Sequence, residues 1–190
     1  MSENDAGNYI CSHNGRDSTT VLVVADVVPR FRGRRDSYAV LPSNLHKTAY
    51  FELDMDIRFK PESANGLIVY NGYSRDSAQG AGPSDFIALG MKDGLVEFRF
   101  DVGAGPAILQ SQRPLELNKW HHARIWRSKR EATLTVDDEE PVTGMAPGSM
   151  VGLELVGDLH VGGVPDYSAI SRRVGFSENF AGKWRQHYGP

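Results

Sequence analysis

Polar and apolar residues alternate along much of the chain with the period of two that marks a half-buried strand. In YFELDMDIRFK, Phe51, Leu53, Met55, Ile57 and Phe59 fall on one face, and Glu52, Asp54, Asp56, Arg58 and Lys60 on the other. ANGLIVYNG is a short strand between two Asn-Gly turn signals. KWHHARIWR and EATLTVD are joined by the polar turn Ser128-Lys129-Arg130, and DLHVGG ends on paired glycines. No amphipathic helix of ten residues or more is recognisable. Strands with turn signals at this density predict an all-β sandwich.

The stretch SDFIALGMKDGLVEFRFDVGAG predicts a hairpin. Asp93-Gly94 tolerates the positive φ of a tight turn. Centring the turn there makes paired positions sum to 187, so Asp85 sits opposite Val102. The Asp85 carboxylate beside the Val102 backbone gathers oxygens at a sheet rim, the beginning of a hard-cation site. In LVEFRFD, Val96, Phe98 and Phe100 share the core face, and Leu95, Glu97, Arg99 and Asp101 the other, where loss of Arg99 is expected to cost little.

Composition changes this picture only modestly. The 190 residues suffice for one sizeable domain, and the net charge of −3 gives no nucleic-acid signal. No apolar run is long enough to cross a bilayer, so no membrane insertion is expected. Met1 to Asp5 lacks the basic start and apolar core of a signal peptide. A single cysteine, Cys11, taken alone suggests an intracellular protein without disulfides, unless the chain is part of something longer.

Two resemblances argue that it is. Asp5-Ala6-Gly7-Asn8-Tyr9-Ile10-Cys11 resembles the penultimate strand of an immunoglobulin domain, with the corner tyrosine two residues before the second disulfide cysteine. STTVLVV would be the last strand, and the earlier strands are missing. Residues 1–27 are therefore expected to be the end of an immunoglobulin-like domain, with Cys11 the remnant of its disulfide. From residue 28, FELDMDIRFKPESANGLIVYNG, DFIALGMKDGLVEFRFDVGAG, NKWHHARIWR, LELVGDLHVGG and GFSENFAG occur in the order found in laminin G-like domains. That resemblance covers roughly Arg30 to Gly182 and implies a jelly-roll sandwich of two antiparallel sheets over residues 28–182. The family's cysteine and final apolar strand are not recognisable after Gly182. Residues 183–190 are expected to be an atypical tail in which the closing strand is lost or replaced.

The resemblance implies a non-catalytic adhesion module of the extracellular matrix, at a basement membrane, within a longer secreted chain. It also implies a calcium ion at the rim, held by Asp85, the Val102 carbonyl, the Gly152 carbonyl and Glu154, the last two in a strand before the paired glycines. The family usually has Asp or Asn where this chain has Glu154. Open positions on the ion suit anionic sugars. The implied partners are the glucuronate-bearing glycans of dystroglycan, heparin or sulfatide, and other basement-membrane proteins.

Basic candidates for glycan contact are Arg30, Arg32, Arg34 and Arg35 in RFRGRR, and Arg127, Lys129 and Arg130 in RIWRSKR. Arg124 and Arg127 differ in parity, so one of them faces the core. His121 and His122 are adjacent, fall on opposite faces and make no zinc site. Two readings of other classes remain. One is a structural spacer that binds neither calcium nor sugar. The other is a jelly-roll glycoside hydrolase using the acids of ELDMD, against which stand an Asp where the third acid should be Glu and the lack of a nearby tryptophan.

Overall fold

The computed structural model describes residues 7–13, 16–22, 28–41, 50–72 and 85–186. Strands β1 (Gly7–His13) and β2 (Arg16–Leu22) form a two-stranded antiparallel sheet in which Cys11 lies opposite Ser18. The reading of Cys11 as a disulfide remnant concerns a side chain, and Asp5 a residue, outside those described.

The remaining strands make two six-stranded sheets among the described residues. The first runs β12 (Val142–Met145), β11 (Glu131–Val136), β10 (His121–Ser128), β5 (Glu52–Pro61), β14 (Ala181–Gln186), β3 (Arg30–Arg32). The second runs β4 (Ala39–Leu41), β13 (Leu159–Val161), β6 (Gly66–Gly72), β7 (Phe86–Lys92), β8 (Leu95–Asp101), β9 (Pro106–Gln110). This is the two-sheet all-β sandwich that the alternation predicts. No helix among the described residues is long and apolar enough to cross a membrane.

The core lies between the sheets. Ile57 and Phe59 of β5 and Ile125 of β10 meet Leu89 and Met91 of β7 and Phe98 and Phe100 of β8. The rings of Phe98 and Phe100 stack at 5.8 Å. Each such side chain contributes ~1.5–3 kcal/mol by leaving water. Strand β6 carries a bulge between Leu67 and Val69. Ile68 and Val69 therefore both join the inter-sheet core, while Leu67 and Tyr70 pack on the other side.

That other side is covered, which corrects the reading of LVEFRFD. Val164, Ile170 and Val174, with Tyr167 and Phe176, fold over Leu67, Tyr70, Phe86 and Ala88. Val174 ends a 3-10 turn (Arg172–Val174) closed by Gly175 at φ 75°. Beneath this cover Glu97, Arg99 and Asp101 are 4%, 9% and 0% exposed, so they are buried polar residues rather than a wet face. Arg99 Nε donates to Glu97 Oε1 at 2.6 Å, Nη1 donates to the Arg173 carbonyl at 3.2 Å, and the guanidinium lies 5.8 Å from the Phe176 ring. Residues of 163–178 show no periodic pattern, so the alternation could not announce the cover.

At the chain end the closing strand is replaced rather than lost. Residues 181–186 form β14 inside the first sheet, paired with β5 on one side and β3 on the other. Trp184 turns inward against the core, while Arg185 stacks over Trp120 at 4.9 Å. A closing strand is therefore present, with a single aromatic in place of an apolar run.

Candidate functional site

The rim begins with the β7–β8 hairpin. Phe86 pairs with Asp101, and Asp93 and Gly94 turn with φ of 52° and 84°. Paired positions sum to 187, and Asp85 is placed just beyond that last pair, opposite Val102. Asp101 shapes the chain there. Its Oδ1 accepts the N–H groups of Gly103 and Gly105 at 2.8 and 3.0 Å, and its Oδ2 accepts from Arg173 Nη1 at 3.2 Å. The Asp-x-Gly-x-Gly spacing of residues 101–105 was the available signal for this role, and the strand pattern hid it.

The second segment of the rim is not a strand. Leu153 makes an isolated bridge with Tyr50, with both backbone bonds at 2.9 Å. Successive peptide groups alternate in direction where the chain is extended. The groups of Gly152 and Glu154 thus turn away from Tyr50, and the Glu154 N–H donates to Asp85 Oδ2 at 2.9 Å. Residues 85 and 154 are brought together. Val102 is buried beside them, and the Glu154 side chain is exposed.

The electrostatics disfavour a bare charge on Asp85. Asp85 is 6% exposed, and burial is the largest cause raising its pKa above the ordinary carboxylate value. The Glu154 N–H opposes that shift, Asp101 and Glu154 add to it as like charges, and Arg127 opposes it. Among the described residues no three His, Cys, Asp or Glu side chains group around a metal position. Any ion here would lean on the Val102 and Gly152 carbonyls, which suits hard calcium and not zinc.

Arg127 is the clearest correction to the sequence reading. It is 0% exposed and contributes nothing to a surface patch. Its Nη1 and Nη2 donate to the carbonyls of Tyr50 and Val151 at 3.2 and 2.9 Å, and its guanidinium lies 5.4 Å from the Phe100 ring. Arg124 takes the outward position. Lys129 is exposed at φ 55°, and Arg130 donates to the carbonyls of Ala146 and Gly148.

The two basic clusters lie at opposite ends of the sandwich. Lys129 donates its N–H to the Phe51 carbonyl, on the side of Tyr50, Leu153 and Asp85. Arg32 and Gly33 pair with Ala181 and Phe180, whose neighbours Asn179 and Gly66 adjoin the Asp93 turn end of the hairpin. The eight residues from Asp85 to Asp93 span ~25 Å when extended. Arg30 is tied to Glu62 at 2.9 Å and Arg34 lies 3.7 Å from Asp36, while Arg32 and Arg35 are exposed.

His121 and His122 do diverge. His121 sits between Asp137 Oδ2 at 2.7 Å and the Glu116 carbonyl at 2.8 Å. His122 faces Asp56 at 2.6 Å.

This geometry has relatives. The chain is 36% identical over 188 residues to the basement membrane-specific heparan sulfate proteoglycan core protein of Mus musculus, covering 96% of this chain and 5% of that protein. It is 34% identical over 182 residues to pikachurin of Homo sapiens, covering 93% of this chain and 17% of that protein. The chain thus spans a small part of either. Among solved structures, mouse laminin alpha1 chain domains LG4-5 superpose with a TM-score of 0.68 at 23% identity, over 82% of this chain and 39% of that one, a likeness of fold. The laminin G domain profile matches residues 59–186, from the core strand β5 through the rim to the last pairing of β14. By that match and these relatives, the chain belongs to the laminin G domain family.

Proposed function

We propose that this chain is a non-catalytic adhesion module of the extracellular matrix that holds calcium at the Asp85 rim and uses it to dock anionic glycans. Membership in the laminin G family, with a basement-membrane proteoglycan among its relatives, supports the adhesion module and leaves no ground for a glycoside hydrolase. The observation that carries the calcium reading is the buried Asp85 carboxylate, raised in pKa with Asp101 and Glu154 as like-charged neighbours. A cation beside it relieves that repulsion. Asp85, the Val102 and Gly152 carbonyls and Glu154 would hold the ion, and calcium takes six to eight oxygens, so positions stay open for a ligand carboxylate. Lys129, at the same end, assists an anionic sugar such as a glucuronate-bearing glycan of dystroglycan. The Arg32 and Arg35 end is the separate place for heparin or sulfatide.

The spacer reading has its own support. Asp85 already accepts the Glu154 N–H and faces Arg127, a structural role that needs no ion. Calorimetric calcium titration of the chain and of Asp85→Ala separates the two. Calcium binding by the chain and its loss in the variant are expected. Binding of glucuronate-rich glycan should vanish in chelator, whereas heparin binding should persist there and fall steeply with salt. Unchanged calcium affinity in Asp85→Ala sinks the rim assignment, and a folded chain that binds no calcium is a spacer.

A further inference from the structure

Strands β3 and β4 are edge strands of different sheets, and residues 33–38 carry the chain from one to the other. The crossover holds Arg32-Gly33-Arg34-Arg35, three cations within four residues, followed by Asp36. One other segment has the same form, Arg127-Ser128-Lys129-Arg130, followed by Glu131. Sequence alone cannot rank the two, and burial does. Arg127 is 0% exposed, so the second segment cannot offer its first cation without opening the core. In the first, residues 32–36 are all exposed.

The hydrogen bonds of the first segment show what holds it closed. The Ser37 N–H donates to the Arg34 carbonyl at 2.9 Å, a tight turn with the Arg35–Asp36 peptide bond at its centre. Asn179 Nδ2 donates to the same carbonyl at 3.0 Å, the Gly33 N–H to the Phe180 carbonyl at 3.1 Å, and the Arg32 N–H to Ser37 Oγ at 2.8 Å. No side chain of residues 32–37 belongs to the buried core. Releasing the turn therefore breaks a few hydrogen bonds and no apolar contact, a local opening that leaves the fold standing.

We infer that the Arg35–Asp36 bond is a processing site, cut by a subtilisin-type serine protease whose substrate pockets are lined with carboxylates. Such an enzyme takes the opened segment as an extended strand. Its carboxylates hold the guanidinium groups of Arg35, Arg34 and Arg32 by charge-assisted hydrogen bonds, and Gly33 needs no pocket. In the cut, water adds to the Arg35 carbonyl carbon, the C–N bond breaks and a proton passes to the Asp36 nitrogen. Arg35 is left as a carboxylate and Asp36 as a new amino terminus. With a single cysteine in the chain, residues 1–35 then keep only noncovalent ties to the sandwich. Chief among those described are the three-residue pairing of β3 with β14 and Phe31 packed 6.5 Å from Phe180. The proposed extracellular role supplies the encounter with such an enzyme, whereas a purified assay depends neither on that role nor on the heparin reading.

The test is digestion of the folded full chain by a purified calcium-dependent protease of this specificity, without glycan, read by mass spectrometry and amino-terminal sequencing. Synthetic peptides of residues 28–40 and 124–134 are the unfolded references. Both peptides should be cut, and the folded chain only after Arg35, giving a fragment that begins at Asp36. Arg35→Ala should abolish the cut. Arg32→Ala should slow it at least ~10-fold, the loss of one charge-assisted contact. Ser37→Ala frees the Arg32 N–H and should speed cleavage of the folded chain ~5-fold relative to the same change in the peptide. A folded chain left uncut overturns the inference, whether or not the 28–40 peptide is cut. First cleavage after Arg130 overturns it too. A rate unmoved by Arg32→Ala would mean indiscriminate attack on an exposed arginine, and the inference falls.

Discussion

Replacing Arg127 by Met should unfold the domain far more easily and leave heparin binding untouched. The side chain is 0% exposed and donates to the Tyr50 and Val151 carbonyls. Methionine fills much of the volume but donates nothing. The Val151 carbonyl loses this donor, at ~1–2 kcal/mol, while the Tyr50 carbonyl keeps the Leu153 N–H and loses less. Asp85 also loses the cation that opposes its raised pKa. Against this, the variant no longer buries a guanidinium, whose own pKa is pulled down by burial and pushed back up by Asp85. Removing one partner of such a buried pair usually costs ~3–5 kcal/mol, because the other charge is left behind. With a slope of ~2 kcal/mol per M, a loss of ~4 kcal/mol moves a urea midpoint down by ~2 M. Urea titration followed by tryptophan fluorescence reads this directly, in chelator so that bound calcium does not mask it. Arg127→Met combined with Asp85→Asn should recover part of the loss, since the stranded charge is gone. A midpoint shift below ~0.5 M would refute the reasoning, and so would weakened heparin binding by folded Arg127→Met.

Two further outcomes follow from burial. In chelator, Asp85→Asn should make stability less dependent on acid. The Asp85 pKa is raised in the fold, so its protonated form is favoured there. Its contribution is complete below the unfolded carboxylate pKa and is lost as pH rises through the folded one. The measurement is the difference in unfolding free energy between the chain and the variant from low to neutral pH, and a difference that does not change across this range argues against the raised pKa. On β8, Phe98→Ala should cost ~3–5 kcal/mol and Arg99→Ala ~2–4 kcal/mol, since the latter strands Glu97 beneath the 163–178 cover. Denaturation midpoints check both, and a neutral Arg99→Ala would mean that the cover is not closed.

The strands were legible because alternation is a local property. Asp93-Gly94 set the register of β7 and β8, and through it the place of Asp85. Parity foretold that Arg124 and Arg127 part company, but basic composition still suggested a patch, and only the three-dimensional fold shows which arginine is inside. The two faces of β8 could not be told apart by pattern. Glu97, Arg99 and Asp101 look solvated until a segment more than sixty residues later covers them.

The place of β14 has a consequence for how the domain comes into being. Arg30 pairs with Lys183, and Lys183 also pairs with Lys60. The last of the described strands thus sits in the interior of its sheet, between two strands made early. During synthesis β3 has no lattice to join and β5 shows a bare edge until residues 181–186 leave the ribosome. Contacts over such separations are entropically slow to close. The first sheet therefore completes after translation of the whole domain, and a nascent chain arrested before Ala181 should stay protease-sensitive along β5. A domain built this way depends on protection of that edge during synthesis, and on rapid docking of one short strand at its end.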